Sequence, residues 1–454
     1  MAIGDYAAWF AVVACAWAAP ASGEETPKYQ LSAGRELTYQ ALYTVTKAGA
    51  PPGEVSRSRV DWKVWATRRD PDGAWRLVIQ CETRDLPGKP VERPEPGPVS
   101  TLFWRCRLYP DGRLVGATIR GNFRNPFRLF PRLPDRREGG WESDGPSDSG
   151  IVFRHRRTPG TEAEGLSITS TAEGPEDTIW PETHSARSTF DIRRSVVTRV
   201  ETEDVSAYGS PQATRGIIEL AGVEERGGEW ASSFGRDADR YFDAVAAYEQ
   251  AGREAVRDAT RCGAILLRAK SRLEEARAGL STPAFRDALT ATLAKHDGLA
   301  ADYAEEAEDH RDRLGKPSPP WEAKGLDGKI HRPADYRGKV VVMDFWYRGC
   351  GWCMHAMPQV KRLAETFRDR PVAVLGMSID EDEKDARIVV DAMGLNYPTI
   401  RAIGIPEQYG VKGYPTLVVL DQTGKIREIH VGFSATLHDD LAASIRKLLD
   451  EPPR

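Results

Sequence analysis

The chain has 454 residues, 63 of them Lys or Arg against 67 Asp or Glu, for a formal net charge of −4. That length exceeds one ordinary domain and suits about three. The near balance of charge gives no electrostatic pull toward nucleic acid or an anionic membrane surface, and no apolar run in the body of the chain is long enough to span a bilayer.

Residues 1–23 read as a secretory signal peptide. Ala7 to Ala19 form a short apolar run, and Pro20-Ala21-Ser22-Gly23 supplies small residues for cleavage after Ala21. The leading segment carries Asp5 and no Lys or Arg, a departure that leaves an uncleaved anchor as the alternative. Val12-Val13-Ala14-Cys15 fits a loose lipobox that would lipidate Cys15, although the apolar sequence continues beyond that cysteine. The expectation is an exported protein, periplasmic or otherwise extracytoplasmic, that meets a membrane only if anchored at this end.

Residues 29–235 form a β-rich region. Leu37, Tyr39, Ala41, Tyr43 and Val45 alternate with polar neighbours, as do Val60, Trp62, Val64 and Ala66. Asp72-Gly73 and Asp111-Gly112 have hairpin-turn chemistry. Further strands are expected in Ile151 to His155, Ser188 to Glu201 and Gly216 to Val223, giving an antiparallel sandwich or incomplete barrel. Cys81 and Cys106 fall on the more apolar face of their strands. In an exported protein they could form a structural disulfide if their strands are neighbours; otherwise they pack as buried thiols. Arg120, Arg124, Arg128, Arg132 and Arg136 recur every four residues among Phe123, Phe127 and Phe130, a mixture that can bind nucleic acid. Pro126, Pro131 and Pro134 break any helix there, so a loop that tucks its aromatics under the sheet is expected instead. No catalytic constellation or metal-ligand spacing is evident in this region.

Residues 237–315 switch to Ala, Glu, Arg and Leu. A seam from Tyr241 through Gly252, Ala259 and Cys262 to Ala276 advances in steps of four and three. Gly279 to Pro283 interrupts it with a helix stop and a new start, and a second seam runs from Phe285 to Leu314. Two helices folded into an antiparallel hairpin are predicted, with His310 opposite Gly252, and His296 and His310 as seam residues rather than metal ligands. Apolar surface left on such a hairpin could pair with a second subunit as a dimer.

Lys316-Pro317-Ser318-Pro319-Pro320 opens the last region, residues 317–454. Val340 to Trp346 reads as a buried strand, followed by a turn, Cys350-Gly351-Trp352-Cys353, and a helix. At a helix's first turn, free backbone N–H groups and the dipole stabilise a thiolate on Cys350, and Cys353 lies one turn on, in reach to close a disulfide. The same spacing is also half of a zinc site, but no second such pair exists and His355 shares the same helix, so no metal is expected. Downstream, Gly413-Tyr414-Pro415-Thr416 precedes the apolar run Leu417 to Leu420 and the turn Asp421-Gln422-Thr423-Gly424. Asp344 stands two residues before Trp346, and Pro358 five after Cys353.

Together these features resemble the thioredoxin superfamily. The flanking segments Leu326-Asp327-Gly328-Lys329, Tyr336 to Val340, Ser378-Ile379-Asp380-Glu381-Asp382 and Tyr409 to Thr416 are similar to the TlpA/ResA type of thiol-disulfide oxidoreductase and to the wider AhpC/TSA redoxin group. The resemblance covers about Pro317 to Leu449. It implies a thioredoxin-like α/β domain with no cofactor, and a cis Pro415 facing the cysteines. Cys350 would attack, Cys353 would resolve, and Asp344 would be the buried acid. Trp352, Tyr414 and Pro415 would flank the substrate, and the implied partners are proteins carrying disulfides and a thiol electron donor. Gly349 replaces a frequent Trp and Trp352 fills the second middle position, which leaves the direction of electron flow open. Arg348 adds positive charge near the thiolate or points into solvent. The whole reads as a multi-domain α+β protein that reduces protein disulfides outside the cytoplasm. One alternative is a thiol peroxidase, against which Met343 and Tyr347 stand where that pattern wants Pro and Thr. The other is a binding or scaffolding protein with an accessory redox domain.

Overall fold

The computed structural model describes residues 26–47, 55–86, 100–116, 126–134, 140–146, 152–162, 165–173, 182–206, 212–434 and 436–451. The segment expected to be a signal peptide and Cys15 lie outside the described residues, as do Arg120, Phe123, Arg124 and Arg136. No helix among the described residues is long and apolar enough to cross a membrane.

The alternating stretches form strands β1 (Arg35–Lys47), β2 (Ser56–Arg69), β3 (Trp75–Leu86), β4 (Ser100–Leu108), β5 (Leu114–Val115), β6 (Trp141–Pro146), β7 (Val152–Glu162), β8 (Gly165–Glu173), β9 (Glu182–Asp191), β10 (Val196–Ser206) and β11 (Gln212–Glu225). They make one antiparallel sheet in the order β5-β4-β3-β2-β1-β11-β10-β9-β8-β7-β6. Alternation fixes which face is buried. Leu37, Tyr39, Ala41 and Tyr43 of β1 join Trp62, Ile79, Ile168, Phe190 and Ile218 in a core shared by both halves of the sheet. Leu129, Phe130 and Leu133 enter that core from the segment after a short turn at Pro126–Leu129. Gly112 lets this segment approach: it has φ +85°, and a Cβ there would lie 2.3 Å from the Pro131 carbonyl oxygen.

The register corrects the expected bridge between Cys81 and Cys106. Although β3 and β4 are neighbours, Cys81 pairs with Leu102 and Cys106 with Leu77, so the cysteines stand four positions apart along the ladder. That is about 13 Å, about twice the Cα separation a disulfide spans. Neither is in a disulfide, and both are buried thiols.

The helical region also departs from expectation, with four helices in place of two: α1 (Gly228–Arg257), α2 (Cys262–Ala278), α3 (Pro283–Ala294) and α4 (His296–Arg313). The first seam breaks because Asp258 turns the chain. Its Oδ1 accepts the N–H groups of Thr260 (3.1 Å) and Arg261 (3.2 Å) and the Thr260 hydroxyl (2.6 Å), and this local bonding competes with the helix. α2 then folds back on α1, bringing Cys262 and Leu266 near Ala255, and Ala269 and Leu273 near Tyr248. Tyr303, not His310, occupies the space at Gly252, where a Cβ would meet its ring at 2.8 to 2.9 Å. His310 is buried with its Nε2 3.9 Å from Glu306 Oε1, and His296 bonds the Tyr248 hydroxyl at 2.8 Å. Phe234 of α1 and Phe285 of α3 pack on Trp65, Val78 and Phe103, so this layer covers the outer face of β2 to β4.

The C-terminal region contains the small pair β12 (Ala323–Lys324) and β13 (Ile330–His331), then β14 (Val340–Trp346), α5 (Gly351–Thr366), β15 (Val372–Ser378), α6 (Glu383–Met393), β16 (Thr399–Arg401), β17 (Thr416–Leu420), β18 (Ile426–Val431) and α7 (Leu437–Asp450). Its five-stranded sheet runs β16-β15-β14-β17-β18, with β14 parallel to β15 and antiparallel to β17. Every residue of the central β14 is buried, as expected of a strand covered on both faces. Val340 and Val342 pack under α5 and α7, while Val341, Met343 and Phe345 pack against Trp321, Tyr409 and Ile429.

Candidate active site

β14 delivers the chain to the site. After Trp346 a tight turn follows, in which the Cys350 N–H donates to the Tyr347 carbonyl (3.0 Å), and Cys350 becomes the N-cap of α5. Its Sγ accepts the Cys353 N–H at 3.1 Å, a backbone donor aimed at the sulfur. Cys350 and Cys353 are joined in a disulfide with Cα atoms 5.2 Å apart. Of the two, Cys350 is 5% exposed and Cys353 1%.

β17 brings the second element. Phe345 pairs with Thr416, so the preceding Pro415 lies level with the end of β14, and the Tyr414–Pro415 bond is cis. Tyr414 meets Tyr347 edge to face, with centroids 5.4 Å apart. Trp352 stacks on Phe433 at 5.7 Å and lies beside His355 at 5.6 Å. Tyr414 and Trp352 both pack against the cluster that holds the two cysteines.

Asp344 lies beneath, 1% exposed. The Tyr397 hydroxyl donates to its Oδ2 at 3.3 Å, and Oδ1 has no partner among the described residues. Burial raises its carboxyl to about 7, because desolvation penalises the anion more than the tyrosine bond supports it. Asp344 and Trp346 point to the same side of β14, the side on which α5 packs.

Arg348 does not point into solvent; it is 6% exposed, and its Nη1 donates to Asp385 Oδ1 at 2.6 Å. Its backbone N–H donates to both oxygens of Asp380, at 3.0 and 3.1 Å. Asp380, Asp385 and Tyr397 are neighbours of the site that the motif reading did not single out. Ser378-Ile379-Asp380-Glu381-Asp382 stood out only as a matching segment, and nothing in its spacing says that it folds against the turn before Cys350. Cys81, Cys106 and Cys262 are buried thiols elsewhere, and burial pushes the Cys262 thiol up. No group of three His, Cys, Asp or Glu that could hold a metal ion occurs among the described residues.

The model of the AhpC/TSA family matches residues 314–429. The thioredoxin-like protein YneN of Bacillus subtilis is 36% identical over 121 residues, 26% of this chain and 71% of that protein. The thiol-disulfide oxidoreductase ResA of Geobacillus thermodenitrificans is 30% identical over 121 residues, 26% of this chain and 70% of its own length. Among solved structures, the thioredoxin domain of a thiol-disulfide oxidoreductase from Bacteroides vulgatus aligns over 29% of this chain and 97% of that one, at 23% identity and a TM-score of 0.28. Through its C-terminal third, the chain belongs to the AhpC/TSA family and is a thiol-disulfide oxidoreductase of the thioredoxin fold.

Proposed function

We propose that this protein acts outside the cytoplasm and reduces disulfides in other proteins, with Cys350 as the attacking thiol and Cys353 as the resolving one. The observation that carries the assignment is the placement of Cys350 at the N-cap of α5, where its sulfur accepts the Cys353 N–H. Such a donor and the helix dipole favour the thiolate. In the reduced protein the Cys350 thiolate attacks one sulfur of the partner's disulfide, forming a mixed disulfide and expelling the partner's first thiolate. Cys353 then gives up its proton and attacks Cys350 Sγ. The Cys350–Cys353 disulfide forms, the second partner thiolate leaves, and two electrons have passed to the partner. A thiol donor returns them.

Asp344 is the acceptor for the Cys353 proton, directly or through water. A carboxyl near 7 can take and return a proton at neutral pH, and Tyr397 fixes its orientation. Pro415 presents no N–H to the incoming segment, and Tyr414 and Trp352 form aromatic walls beside it. Export rests on the apolar leader within residues 1–23. The redox domain begins near residue 315, where α4 ends and Gly315 N–H donates to the Ile426 carbonyl at 2.7 Å.

The test is trapping in the native host. Cys353→Ser should leave partners joined to Cys350 as adducts that dissolve in reductant, and Cys350→Ser should leave few. Equal trapping by both variants would reverse the roles. Absence of adducts from both would favour the peroxidase or the binding-protein reading.

A further inference from the structure

Arg348 sits within the turn that presents Cys350 to α5, two residues before the cysteine. Its side chain is 7% exposed, and its partner Asp385, at 31%, stands in the first turn of α6. The second carboxylate, Asp380, holds the Arg348 N–H and accepts the Ser378 hydroxyl at 2.9 Å. One buried cation and two carboxylates therefore meet on the turn that leads into Cys350, both carboxylates come from the chain after β15, and Ala386, next to Asp385, packs in the cluster that holds the two cysteines. Their bonds run to one another and to Ser378, so their influence on the chemistry is electrostatic or positional.

Arg348, Asp380 and Cys350 are all buried, and buried charges act on a buried sulfur far more strongly than they would in solution. A cation favours the Cys350 thiolate and with it the reduced protein; a carboxylate opposes both. The bond from Asp385 to the guanidinium offsets much of the field that Arg348 would otherwise exert on the sulfur. We propose that Asp385 sets the reduction potential of the Cys350–Cys353 couple by neutralising the Arg348 guanidinium, with Asp380 holding the turn in place. This deepens the proposed function and rests on it for Cys350 as the thiolate. The half-reaction near neutral pH is disulfide plus two electrons plus one proton, giving the Cys350 thiolate and the Cys353 thiol. Glutathione serves as the external reductant, and its own disulfide is the product of the oxidation.

The experiment is redox equilibration of the full chain with glutathione, read by mass spectrometry of the alkylated peptide that carries both cysteines. Asp385→Asn should shift the equilibrium about tenfold toward the dithiol, which corresponds to about 30 mV. Arg348→Met should shift it by a similar factor toward the disulfide, since Asp380 and Asp385 then act without the cation. Removing one partner of a buried pair costs stability, so Arg348→Met/Asp385→Leu is measured beside it. With both opposing charges gone, the equilibrium should return to within about threefold of the parent. A purely structural clamp would move both single variants in the same direction, and that result, or unchanged equilibria in properly folded variants, would overturn the proposal. A parent couple that exchanges no electrons with glutathione would instead overturn the oxidoreductase reading.

Discussion

The Tyr397 hydroxyl donates to Asp344 across 3.3 Å, and it is the one bond offered to a carboxyl group that is otherwise enclosed by the core among the described residues. Burial raises this carboxyl from its usual 3.8 to about 7. A raised folded-state value means that the folded chain binds the proton more tightly than the unfolded one, so Asp344 lowers stability progressively as pH rises from about 4 to about 7. Asp344→Asn should therefore stabilise the oxidised protein at pH 8 by about 4 kcal/mol and leave it unchanged near pH 4. Hydrogen exchange of the β14 amides at both pH values reads the difference. A benefit of equal size at pH 4 would show that packing, not charge, is responsible.

Gly410 has φ +69°, and a Cβ there would lie 2.3 Å from Nε of Arg313, whose Nη1 donates to the Gln408 carbonyl at 3.2 Å. Gly410→Ala should cost about 1 to 2 kcal/mol through the left-handed backbone alone and displace the arginine. The same segment is tied to α4 by Lys412, which pairs with Glu305 (3.0 Å) and Asp309 (2.8 Å). The variant should expose the α4–β12 connection to trypsin faster than the parent chain, and an unchanged cleavage rate would show that this contact does not hold the two parts together.

Mass spectrometry of nonreduced protein alkylated after denaturation should find Cys81 and Cys106 each carrying a label. Burial pushes the Cys106 thiol up, so neither labelling nor oxidation at this position is expected while the sheet is folded. A peptide linking the two would mean that β3 and β4 pair in a register different from the one observed.

A fragment from Gly315 to Arg454 should fold alone. Trp321 donates to the Tyr409 hydroxyl at 2.9 Å, the Ser318 N–H donates to the Gly424 carbonyl at 2.8 Å, and both fasten the fragment's start to its core. Beginning instead at Gly325 removes Trp321, which is 8% exposed, and should cost about 3 to 5 kcal/mol. Circular dichroism of the two fragments against urea separates them; equal midpoints would place the boundary later than Trp321.

The redox site was legible where its chemistry is contiguous. The strand, turn and helix from Val340 to Pro358 occupy one short stretch, and Pro415 announces itself by the apolar run that follows. Asp380, Asp385 and Tyr397 were not legible as neighbours, because β15, α6 and the approach to β16 bring them in from more than 30 residues away. In the first region alternation identified the strands but not the pairing, so the faces of Cys81 and Cys106 could be read while their offset could not. In the helical region Ala259 and Cys262 keep the heptad spacing straight through a break. The signal that ends α1 is chemical rather than periodic: Asp258 with Thr260 two residues on, a pair suited to closing a turn.

The position of β1 in the large sheet bears on how the chain is made. β1 pairs with β2, which follows it at once, and also with β11, from Arg35 opposite Glu225 to Lys47 opposite Gln212. Its second edge thus waits for the last strand of the region, and the middle of the sheet is the last place to be completed on the ribosome. Contacts this distant in sequence form slowly, and an open strand edge is a template for pairing with other chains. During synthesis the row of free backbone groups on β1 is where a holding chaperone would protect the nascent protein most.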